Sequence, residues 1–100
     1  MSHVRVEFDP EAIAEAQEAY RWYAKRSQRA ADGFIAELDA AVARISKQPQ
    51  LLVGYLHGTR RCLLKRYPYA VVYNEQPELI QVVAVAHCKR RPGYWKGRVG

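Results

Sequence analysis

The densest group of reactive side chains in this sequence is His87, Lys89, Arg90, Arg91, Tyr94 and Trp95. Cleaving RNA through a 2′-hydroxyl takes one group to remove a proton, one to protonate the leaving oxygen, and fixed cations to stabilise the phosphorane. Imidazole titrates near neutrality, which suits His87 to proton transfer. Tyr94 can donate a proton or stack on a base, and Arg90 or Arg91 can clamp phosphate. The same residues also have a purely structural reading. His87 then bonds at a strand end, while Tyr94 and Trp95 pack the tail onto a sheet.

Charge adds a second argument. The first fifty residues carry 7 Lys and Arg against 8 Asp and Glu, whereas the last fifty carry 9 against 2. The net charge of +6 therefore belongs to the second half, in two clusters: Arg60, Arg61, Lys65, Arg66, and then Lys89, Arg90, Arg91, Lys96, Arg98. Each cluster borders a strand-like segment, so the sheet acquires a basic rim suited to a polyanion. Cations at strand ends also keep a small domain soluble and protect its edges. Candidate binding residues are Arg60, Arg61, Lys65, Lys89, Arg91 and Trp95; candidate catalytic residues, for a nuclease only, are His87, Arg90 and Tyr94.

Other chemistries find little support. His3 and His57 lack metal-ligand spacing, and neither a CxxC nor an HExxH occurs, so no metal is expected. Without a GxGxxG or Gly-Lys-Ser/Thr loop, no nucleotide cofactor is expected either. Cys62 and Cys88, with no exported-looking leader before them, read as reduced thiols in a cytoplasmic protein. The longest apolar run, Val82 to Ala86, is far below the ~20 residues that span a bilayer.

The elements that must position these side chains follow from periodicity. Val4, Val6 and Phe8 alternate with Arg5 and Glu7, as in a short strand with one buried face. Asp9 and Pro10 then open a helix with an apolar stripe of Ile13, Ala16, Tyr20, Tyr23 and Ala24. Ser27 caps a second helix whose stripe is Ala31, Phe34, Ile35, Leu38, Val42 and Ile45, and Pro49 ends it. Trp22 falls off the first stripe and reads as an exposed interface residue. Residues 51–58 fit a loop or a short strand. Residues 61–67, 69–73 and 79–87 form an antiparallel meander separated by turns at Pro68 and Pro77. In the last strand, Ile80, Val82, Ala84 and Ala86 are expected on one face and Gln81, Val83, Val85 and His87 on the other. Both sets are largely apolar, so the strand is covered on both sides, by the helical hairpin and by either the tail or a partner. The expected fold is α+β, β-α-α-β-β-β, with a helical hairpin on a small antiparallel-rich sheet. One domain fills residues 1–100, and residues 88–100 form its basic tail.

In this order the chain resembles the RelE/ParE superfamily of type II toxin–antitoxin toxins. The resemblance rests on Asp9-Pro10 after the first strand, Arg60-Arg61-Cys62-Leu63-Leu64, the strand Tyr67-Pro68-Tyr69-Ala70-Val71-Val72-Tyr73, and the ending His87-Cys88-Lys89-Arg90-Arg91-Pro92 with Tyr94-Trp95. It implies a bacterial growth inhibitor from a plasmid-stabilisation module, neutralised by an acidic antitoxin whose extended and helical segment wraps the toxin. RelE-like members are ribosome-dependent messenger RNA endoribonucleases. Arg61 and Tyr94 match that branch, but Ala70 and Cys88 stand where it places arginines, and Leu63 replaces a lysine. ParE-like members act on DNA gyrase, and the wording from His87 to Pro92 is closer to theirs. Gyrase poisoning is therefore the first expectation and RNA cleavage the alternative, with a nontoxic basic binding module third.

Overall fold

The computed structural model describes residues 4–99; His3 lies outside them. Strand β1 spans Arg5–Phe8, helix α1 Pro10–Ala24 and helix α2 Gln28–Lys47. Strands β2 (Val53–Gly54), β3 (Arg60–Leu63), β4 (Tyr69–Glu75) and β5 (Leu79–His87) follow, and a short 3-10 turn, Lys96–Arg98, lies near the end. One five-stranded mixed sheet has the order β1-β5-β4-β3-β2. β1 runs parallel to β5, and the other pairings are antiparallel. The expected α+β architecture is therefore present, with the ambiguous 51–58 segment supplying a two-residue edge strand.

Local chemistry sets the helix boundaries. Asp9 accepts a hydrogen bond from the Glu11 N–H at 2.8 Å, and Pro10 occupies the first turn. Ser27 accepts from the Ala30 N–H at 3.1 Å. The strand expected over 61–67 is shorter than the sequence pattern suggests, ending at Leu63. Residues 64–68 turn instead, because the Glu37 carboxylate captures the Lys65 and Arg66 N–H groups at 2.8 and 3.0 Å, leaving them unavailable to a ladder.

Two corrections concern facing. The buried residues of α1 are Ala12 and Ala19, whereas Ile13 is 44% exposed. Small side chains let the helix approach β5 closely; of the expected stripe, Ala16 and Tyr23 pack partly buried against the core, and Ile13 turns toward solvent. The second correction lies in β5. Val72 pairs with Ala84 and Tyr73 with Val82, so Val83 is an extra residue and the alternation shifts there. Ile80, Val82 and Val85 consequently pack under the helices with Phe34, Leu38, Ile45, Cys62, Val71 and Tyr73. Val83, Ala84 and Ala86 face the other way.

That second face has its own small core. Trp95, from the tail, packs with Val72, Val83, Ala84 and Ala86, flanked by Tyr55, Tyr94 and Val99. The tail is thus the second cover of the central strands. His57, in the left-handed region at φ 59°, sets its ring edge-on to Trp95, with centroids 5.8 Å apart. Gly93, at φ 82°, makes the turn that brings Trp95 back under it.

Candidate functional site

The bulge in β5 and the turn of the tail bring most of the sequence candidates to one end of the sheet. Arg61, His87, Arg90, Arg91, Tyr94 and Trp95 surround a shallow hollow whose floor includes Ala70, Ala86 and Cys88. Its volume is about 130 Å³, below the ~300 Å³ of the smallest usual ligand pockets. Trp95 fills the space beneath it and is 1% exposed. A surface-contact role for Trp95 is therefore replaced by a packing role. Arg60 is likewise structural: its guanidinium donates to the Leu52 carbonyl at 2.8 Å and lies 3.7 Å from Glu75. Lys65 stands apart in the β3–β4 turn.

The three candidate catalytic groups adjoin, and each makes contacts within the protein. The Lys89 N–H donates to His87 Nδ1 at 3.0 Å, and the imidazole stands edge-on to Tyr69, with centroids 5.0 Å apart. Arg90 lies flat on the Tyr94 ring, 3.7 Å from its centroid. The Tyr94 hydroxyl donates to Glu15 Oε2 at 2.6 Å. Burial, and then that hydrogen bond to a carboxylate, push the phenol well above its ordinary pKa. A phenol so held is a poor proton donor toward a substrate.

Glu15 is the functional-site neighbour that the sequence reading misses. The signal was present: Ala12, Ala16 and Ala19 mark the side of α1 that lies against the sheet, and position 15 shares it. Nearby, α1, β4 and the end of β5 enclose a groove of about 620 Å³ lined by Trp22, Tyr23, Tyr69, His87, Lys25 and Arg90 among others. Trp22 is 51% exposed, as its place off the apolar stripe implied, and Arg26 covers its ring at 3.6 Å. A second, more apolar groove of about 690 Å³ lies where Phe8, Ile13, Ala16, Tyr20 and Ile35 meet.

Of the remaining cations, Lys65, Lys89 and Arg91 are exposed and Arg61 is half-buried. Lys65, Lys89 and Arg91 make no ion pair among the described residues. Arg61 stacks on Tyr55, 4.3 Å from the ring centroid. No group of His, Cys, Asp and Glu among the described residues forms a metal site. Both cysteines are free, Cys62 buried and Cys88 exposed. No helix among the described residues is long and apolar enough to cross a membrane.

A helical hairpin on one face of a mixed sheet, with a basic tail folded over the other, defines the toxin architecture that the sequence resembles. The chain also has the fold of a solved protein from a chromosomal ParDE toxin–antitoxin system of P. aeruginosa, with a TM-score of 0.76 and 15% identity. That alignment covers 87% of this chain and 98% of the other. The family model for the ParE toxin of the type II toxin–antitoxin system parDE matches residues 6–92, and the chain belongs to this family. No curated protein matches the chain significantly.

Proposed function

We propose that this toxin arrests bacterial growth in the cytoplasm by binding DNA gyrase through its basic tail and rim, and that an acidic antitoxin neutralises it. Family membership supports the toxin class. The observation that carries the choice of target is the hollow beside Tyr94. It holds about 130 Å³, is floored by Ala70 and Cys88, and is closed from below by Trp95. An RNA-cleaving site needs room for a phosphate and its two flanking sugars, together with donors aimed at the developing charge. Loss of one such donor costs on the order of 10²–10³ in rate. The Tyr94 hydroxyl is already committed to Glu15. Exposed Arg91 and Lys89, with half-buried Arg61 beside them, instead offer a cationic surface, which suits recognition of a macromolecule better than catalysis on one.

The apolar groove at Ile13, Tyr20 and Ile35 suits the apolar side of an amphipathic antitoxin segment, and the basic rim suits its acidic side. Brief induction in a bacterial host, with transcript integrity and the DNA-damage response read in the same cells, tests the target. Purified chain added to gyrase in a supercoiling assay tests it directly. Damaged DNA, intact transcripts and inhibited supercoiling are expected. Cut transcripts with normal supercoiling would overturn the gyrase reading in favour of ribonuclease activity.

A further inference from the structure

We propose that Glu15 is the positioning residue of the toxin: from α1 it fixes the basic tail in the geometry that engages the target. The inference rests on the tail-mediated action proposed above, though not on the identity of the target. Its starting point is an interruption in the sheet. β1 pairs with β5 only as far as Phe8 opposite Val82, and the last edge contact is the Asp9 N–H donating to the Val82 carbonyl at 2.8 Å. Beyond that point the outer edge of β5 has no partner strand among the described residues, although its own residues are buried. Unpaired polar backbone in such a place costs roughly 1–3 kcal/mol per group.

Glu15 and Arg98 supply what the missing strand does not. Glu15 Oε1 accepts from the Val85 N–H at 3.0 Å, and the Arg98 guanidinium donates to the Val83 carbonyl at 3.0 Å. The two side chains then pair with each other through both carboxylate oxygens, Nη1 to Oε1 at 3.0 Å and Nη2 to Oε2 at 3.1 Å. This is the two-point arrangement that fixes direction as well as distance. Oε2 also accepts from Tyr94 and lies 3.8 Å from Arg90. One carboxylate, 14% exposed, thus holds helix, strand and three residues of the tail. Arg90 and Tyr94, stacked together, carry the neighbouring Arg91 and Lys89 with them.

Glu11 provides an internal control. It lies 3.4 Å from the same Arg98, but it is 70% exposed and touches neither β5 nor Tyr94 in any described hydrogen bond. Simple charge loss at Arg98 should affect both glutamates alike, whereas positioning should single out Glu15.

The experiment compares wild type, Glu15→Gln, Glu11→Gln and Arg98→Lys in the full chain. Growth arrest after induction, gyrase supercoiling, and amide hydrogen exchange resolved along the sequence are measured. For Glu15→Gln, exchange at Val85 and residues 94–99 should accelerate at least tenfold while α2 and β4 stay protected, and growth arrest should weaken at least tenfold in inducer required. Arg98→Lys, which keeps the charge but loses the fork, should fall between Glu15→Gln and wild type. Glu11→Gln should match wild type. Should Glu15→Gln not fold, Arg98→Lys tests the same link between tail order and toxicity. Full toxicity with a loosened tail, an unloosened tail, or equal effects at Glu11 and Glu15 would each overturn the inference. Wild type that arrests growth without inhibiting gyrase would overturn the gyrase reading alone. Wild type that does not arrest growth would overturn both.

Discussion

Lys89 and Arg91 separate binding from folding at the level of single side chains. Both are exposed and unpaired among the described residues, so reversing them touches no packed contact. The double variant Lys89→Glu, Arg91→Glu should change stability by less than about 0.5 kcal/mol per site and remove growth arrest. Denaturant melts alongside induction assays check the pair of outcomes; retained toxicity would remove the tail cations from the target surface. Tyr73 makes the opposite case, a polar group whose role is internal. It is fully buried, and its hydroxyl donates to the Pro49 carbonyl. Burial, partly offset by Arg60, pushes its phenol up to about 12. Because the folded value lies above the unfolded one, the folded state holds this proton more tightly. The associated stability is complete below roughly pH 10 and disappears as pH rises toward about 12. Urea melts at pH 8, 10 and 11.5 should show a Tyr73 contribution to the loss on the order of 2 kcal/mol across that window. Tyr73→Phe should make the alkaline slope shallower, the remainder belonging to Tyr94, and an unchanged slope would place the titration elsewhere.

Among the elements, α2 is held in place by a close approach to the β3–β4 turn. Tyr67 donates its hydroxyl to the Ala30 carbonyl at 2.8 Å and stacks edge-on against Tyr23 and Phe34. Gly33 leaves the room for this: a Cβ there would collide with Tyr67 Oη. Gly33→Ala should therefore destabilise by about 1–3 kcal/mol, despite the higher helix propensity of alanine. A rise in melting temperature would show that Tyr67 moves aside freely. Such approaches explain what the sequence could and could not disclose. Strand and helix periods in Val4–Phe8, Ala31–Ile45 and Leu79–His87 specify their elements because each buries a repeated face. The extra residue Val83 leaves no local mark in a run where every side chain is apolar, so the face assignment after it could not be read. The tail's basic and aromatic content was legible, but the burial of Trp95 depends on the sheet face it folds back onto, and the role of Glu15 on contacts with Tyr94 and Arg98 about eighty positions away. The neighbouring alanines place position 15 on the sheet side of α1, but nothing near it in the chain records which groups it meets there.

The whole molecule is a sheet with two covers of unequal strength, which changes how the tail can be probed. The helical side carries Phe34, Leu38, Ile45, Val71, Tyr73, Ile80 and Val82, a core large enough to define the fold. The other side depends on one large residue, Trp95, over Val72, Val83, Ala84 and Ala86. Ending the chain after Pro92 removes that residue, at a cost comparable to the ~3–5 kcal/mol of a buried Trp→Ala change. It also withdraws Tyr94 and Arg98 from the Glu15 carboxylate and Arg98 from the Val83 carbonyl. Against a typical total stability of ~5–15 kcal/mol, these losses together should leave a chain that binds ANS, melts without a sharp transition and aggregates on expression. Growth arrest would disappear for that reason alone, so truncation cannot reveal whether the tail touches the target. A truncated chain that stayed soluble and melted cooperatively would refute the two-cover account. If it aggregates while the Lys89→Glu, Arg91→Glu protein folds and is harmless, the tail serves both purposes, with its aromatic residues holding the sheet and its cations meeting the target.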